Sequence, residues 1–125
     1  MEDFRVEVVC RDLTDCVQAA SSRLQYSFDR EKVYQMLWRV QDELNRLVDC
    51  ASDSPTAVFS FLQRKSPRLV RDIIGILEWR LQLKHVHSRA IDQSCEEINR
   101  LLGELERIKE GQARPTIATN NHAGG

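Results

Sequence analysis

Glycine and proline are scarce in this chain, with 5 and 3 among 125 residues. An all-β fold needs a turn signal every ~8–12 residues, so the shortage argues for helices. Aromatic residues make up only 6%. Tyr26, Tyr34, Trp38 and Trp79 are spread out, which argues against a platform for stacking single-stranded bases. Cys10, Cys16, Cys50 and Cys95 are scattered and form no C-x-x-C pair. Zinc-finger spacing is therefore excluded, and the thiols read as reduced ones of an intracellular, cytoplasmic protein. No apolar run approaches the ~20 residues that a membrane span requires. The opening "MEDFRVEVVC" is acidic and lacks the long apolar stretch of a secretory signal.

Chemical motifs are missing too. No G-x-S-x-G, P-loop or G-x-G-x-x-G occurs, and no cysteine shares a plausible helix face with a histidine. His85 and His87 are two apart. On a helix they point about 200° apart and cannot chelate one ion; His122 lies in the tail. Asp42–Glu43 and Glu96–Glu97 read as solvated faces. The chain is therefore expected to hold no catalytic residue, metal or cofactor.

What is present is helical patterning. Val6, Val9, Leu13, Cys16, Ala20 and Leu24 recur at steps of three and four, which predicts a helix despite the strand-like alternation of "FRVEVV". Val33, Leu37, Val40, Leu44 and Leu47 predict a second helix over about 30–51, with Ser27 and Asp29 as rival caps. Ser54-Pro55 and Ser66-Pro67 each read as a cap followed by proline at the first helical position. They bracket a short helix, "TAVFSFLQ". Beyond Pro67 no strong stop appears until Gly111, which predicts one long helix to about residue 110. It would be about 60 Å long, more than a small core covers. A kink near Ser88 or a partner chain would resolve that excess. The expected architecture is all-α: a small helical bundle or hairpin over residues 1–110 with one long C-terminal helix, dimeric, and a disordered tail over 111–125.

Charge is unevenly placed. Residues 1–63 carry 7 basic against 11 acidic side chains, residues 64–89 carry 7 against 2, and residues 90–125 carry 4 against 6. Two surfaces stand out. Ile91, Cys95, Ile98, Leu102 and Leu105 form a heptad-like seam flanked by charges. Surplus apolar side chains at Ile73, Ile76, Trp79 and Leu83 accompany it. This pattern predicts self-association carried by Ile91, Ile98, Leu102 and Leu105, extended by Leu77 and Leu81. The second surface is basic: Arg64, Lys65, Arg68, Arg71, Arg80, Lys84 and Arg89. A helical rod with cations every turn can follow duplex phosphates, and duplex RNA is recognised largely by shape and backbone.

The plan of helices, apolar pairing surface and basic helical face is similar to that of the small duplex-RNA-binding silencing suppressors of insect nodaviruses. "SPTAVFSFL" ahead of a last charged helix is the nearest local echo. The first expectation is a non-enzymatic adaptor or assembly protein that self-associates through its long C-terminal helix. The alternative is a duplex-RNA binder.

Overall fold

A computed structural model of the chain describes residues 2–24, 29–82 and 88–113, and these are almost wholly helical. The helices are α1 (Glu2–Leu24), α2 (Arg30–Asp53), α3 (Pro55–Lys65), α4 (Leu69–Gln82) and α5 (Arg89–Ala113). The expected all-α class holds, and the "FRVEVV" segment is helical.

α2 is the central helix. Its predicted stripe Val33, Leu37, Val40, Leu44 and Leu47 is fully buried. Asp29 caps it, accepting from the Glu31 N–H at 2.9 Å and so satisfying one of the first turn's free donors. α1 lies along one flank of α2 and α5 along another, while α3 packs on all three. α4 packs chiefly on α1. The α1 side chains in the core are Val6, Cys10, Leu13, Val17, Ala20 and Leu24. Val9 and Cys16 flank this row half-buried.

Where one helix is expected over 67–110, the described residues contain two. Ser88 stands outside the helix. Its hydroxyl accepts from the Ile91 N–H at 3.1 Å, and its carbonyl accepts from Asp92 N–H. A side-chain cap of this kind marks a helix start, so α5 begins afresh at Arg89. Removing the cap with Ser88→Ala should cost about 1 kcal/mol, read as a lower urea midpoint with unchanged slope. An unchanged midpoint would mean that the cap is not formed.

The two Ser-Pro signals end differently. Pro55 takes the first position of α3, but Ser54 makes no side-chain capping bond there. Ser66 closes α3 through its N–H to the Leu62 carbonyl. Pro67 then falls in a turn, and α4 starts two residues late, at Leu69. The Ser66 hydroxyl meets the Thr14 hydroxyl at 3.3 Å instead of capping α4.

No helix among the described residues is long and apolar enough to cross a membrane.

Candidate functional site

The seam of α5 is covered from inside the protomer. Ile91 and Ile98 are 0% exposed and Leu105 is 3% exposed, because α5 lies along α2 and, near its C-terminal end, α3. Leu77 is buried on α4. Leu102 is only half-buried at the edge of the core, and Leu101 takes the inward position beside it. The seam even contains a polar tie: the buried Ser94 hydroxyl donates to Gln41 Oε1 on α2 at 2.9 Å. The side chain of Leu81 lies outside the described residues.

The basic residues divide. Arg64 and Lys65 end α3, Arg68 lies in the turn, and Arg71 sits in the first turns of α4. Two physical causes place them together: proline at position 67 interrupts the helix, and the Thr14–Ser66 contact holds the elbow against α1. All four are exposed. Arg89 is also exposed, but at the start of α5. The side chains of Arg80, Lys84, His85 and His87 lie outside the described residues, as does His122.

Elsewhere four arginines find carboxylates, while Arg11, Arg23, Arg39 and Arg89 make no ion pair among the described residues. Arg5 pairs with Asp53 at 3.3 Å, Arg46 with Asp42 and Glu43, Arg100 with Glu97, and Arg107 with Glu104. The Arg100 guanidinium bonds the Glu97 carboxylate through two nitrogens and lowers that carboxyl's pKa. At the elbow, Arg64 donates to the Ser60 carbonyl at 3.3 Å and to no other group among the described residues. Arg64, Lys65, Arg68 and Arg71 make no ion pair among the described residues.

Beside this elbow lies a cleft of about 450 Å³ between α3, the start of α4 and the end of α5. Its apolar lining is Phe59, Leu62, Leu69, Val70 and Leu105, with Lys109 and Glu106 at the α5 side. Val70 and the neighbouring Ile74 are 36% and 41% exposed. An apolar cleft next to cations without ion-pair partners makes this elbow the candidate binding surface.

No protein-family model, curated protein or solved structure matches the chain.

A larger cleft of about 570 Å³ separates α1 from α2. Asp12, Asp15, Cys16, Arg23, Arg39 and Glu43 are among the residues that line it. Burial raises the Cys16 pKa, and the nearby Arg39 only partly opposes this. A thiol held in its neutral form is a poor nucleophile. Glu43 Oε1 accepts from Arg46, while Oε2 is buried without a partner. Among the described residues no group of three histidine, cysteine or carboxylate side chains could hold a metal ion.

The cleft-lining Phe59, Leu62 and Lys109, and Phe4, which is 70% exposed on α1, are not among the site residues expected from the sequence. For Phe4 a signal existed: it stands between Asp3 and Arg5 with Glu2 and Glu7 nearby, a charged setting unsuited to a core residue.

Proposed function

We propose that the protein is a non-enzymatic α-helical binding protein that self-associates, and that it does so through the α3–α4 elbow and its cleft. The α5 seam is a poorer candidate surface. A second chain could reach Ile91, Ile98 or Leu105 only by displacing α2 or α3, with loss of the core they complete.

One observation carries the reading. Arg64, Lys65, Arg68 and Arg71 stand uncompensated beside exposed apolar surface, although the whole chain has a net charge of −1. Apart from Asp72 and Glu78 on α4, the carboxylates of the molecule lie on other elements, so a second copy can carry the complement that the fold does not bring together. Complementary charge of this kind speeds encounter and selects the partner, while buried apolar contacts hold it.

The test is sedimentation equilibrium over a protein-concentration series at low and high salt. Self-association should appear at low salt. It should weaken by at least about tenfold near 1 M salt, where exposed charges are screened within about 3 Å. A monomer mass at every concentration would refute the reading.

The exposure of the same four cations, with Arg89, also favours a second reading, binding to duplex RNA. The capped start at Ser88 weakens it, because the basic residues no longer lie along one continuous rod. A salt series with duplex RNA, single-stranded RNA and duplex DNA decides the matter. Duplex-RNA preference with a steep salt slope, lost in Arg68→Glu with Arg71→Glu, would establish it. Equal binding by wild type and that double variant would remove it.

A further inference from the structure

We infer that the apolar cleft beside the elbow receives the Phe4 turn of α1 from a second copy of this chain. The inference rests on the self-association reading and names its two faces.

Phe4 is 70% exposed, the most exposed large hydrophobic side chain among the described residues. Its position on α1 explains why. Val6 is buried in the core, and a residue two places away on a helix is turned about 200° from it. Phe4 therefore points away from its own core. Charge surrounds it in the sequence: Glu2 and Asp3 precede it and Glu7 follows one turn later. Glu7 is exposed and makes no ion pair among the described residues. The first turns of α1 thus present an exposed aromatic side chain with the exposed Glu7 carboxylate one turn away.

The cleft has the opposite design. Its wall is largely apolar, from Phe59, Leu62, Leu69, Val70 and Leu105, with one carboxylate, Glu106, and one cation, Lys109, at the α5 side. Arg64, Lys65 and Arg68 are the chain neighbours of its lining residues Gln63, Ser66, Pro67 and Leu69. Such a site suits one large apolar side chain flanked by carboxylates. An aromatic ring adds a further attraction, since arginine guanidinium groups favour its face.

The knob cannot fill the cleft of its own chain. Arg5 contacts Asp53, which holds the start of α1 beside the end of α2. The elbow is held at Thr14 by Ser66, roughly 15 Å further along α1 at 1.5 Å per residue. The occupant must come from another molecule. Two such contacts related by a two-fold axis close a dimer; repetition of the contact without closure builds an open chain.

Sedimentation equilibrium of the full chain tests this with four proteins: wild type, Phe4→Ala, Glu7→Lys and Arg68→Glu. All three altered positions are exposed, and unchanged far-ultraviolet circular dichroism and melting temperature would confirm an intact fold. Phe4→Ala should weaken association by about tenfold or more. Glu7→Lys and Arg68→Glu should each weaken it alone, and a mixture of the two should regain it, because the new lysine then faces the new glutamate.

Association unchanged by Phe4→Ala would overturn the inference while leaving self-association standing. Association lost in Arg68→Glu but kept in Phe4→Ala would place a different acidic segment in the cleft, and would overturn it as well. A wild-type protein that stays monomeric would overturn both readings together.

Discussion

Ile98→Ala should lower the stability of the protomer by about 2–5 kcal/mol, and the loss should not depend on protein concentration. Ile98 is fully buried where α5 meets α2. Truncation removes its transfer free energy and leaves a cavity that the helices close only in part. Leu102→Ala should cost much less, about 1 kcal/mol, because Leu102 is only half-buried. Urea unfolding at two concentrations about a hundredfold apart makes the comparison. If Ile98 lay between two chains, the deficit of the variant relative to wild type would change on dilution. A concentration-dependent deficit at Ile98, or a larger one at Leu102, would defeat the assignment of this seam to the protomer's own core.

Alkaline solution should destabilise the fold through Cys10. This thiol is buried against α2, and its pKa is pushed from 9.0 up to about 12, first by burial and second by the neighbouring Cys50. In the unfolded chain the thiol ionises near its ordinary value, while in the folded protein it stays protonated. The unfolded state therefore binds fewer protons, and stability falls as pH rises. The contribution is complete below about pH 9 and is lost through the interval up to about pH 12, at roughly 1.4 kcal/mol per pH unit. Cys10→Ala removes the group. Between about pH 8.5 and 10.5 the wild type should lose roughly 2 kcal/mol more than the variant. Parallel stability curves for the two proteins would show that Cys10 is not the source. The slopes decide the question, so the separate cost of the truncation does not enter.

How much of this was legible in the sequence differs from helix to helix. The buried face of α2 is fully legible, because its apolar steps of four and three admit one face; the rivalry of Ser27 and Asp29 as caps is decided by the Asp29 bond to Glu31 N–H, and the helix runs to Asp53. α1 was read with the right type and a shifted stripe. Two apolar rows run side by side there. The row with Cys10 and Val17 is the buried one, while Val9 and Cys16 lie at its edge. Periodicity names a face, and packing chooses its centre. The start of α5 was hard to see because "HVHSR" holds neither glycine nor proline, and a serine reveals itself as a cap only when its hydroxyl is seen to meet a backbone N–H.

The two candidate surfaces show the same limit. Ile91, Ile98 and Leu105 are legible as a helix-pairing seam, and the pattern assigned it to self-association, but a heptad pattern does not say which helix covers it, and α2 was available within the chain. The cations from Arg64 to Arg71 were recognised as a cluster because they are neighbours along the chain. Their lack of carboxylate partners depends on distant elements, and no local pattern encodes that. The cleft draws on α3, α4 and α5 at once, so only the fold assembles it.

The bond from Ser94 to Gln41 has a consequence for how α5 finds its place. A seam of leucine and isoleucine at steps of three and four nearly repeats itself after seven residues, so two such helices could slide by one repeat and still bury apolar surface. Ser94 is enclosed in that seam, and its hydroxyl donates to Gln41 Oε1. A slipped pairing would strand the buried Ser94 hydroxyl among hydrocarbon, at about 1–3 kcal/mol, and would take the half-buried Gln41 amide from its partner. One hydroxyl and one amide thus set the register of α5 on α2, and with it the height at which Leu105 and Lys109 meet the elbow.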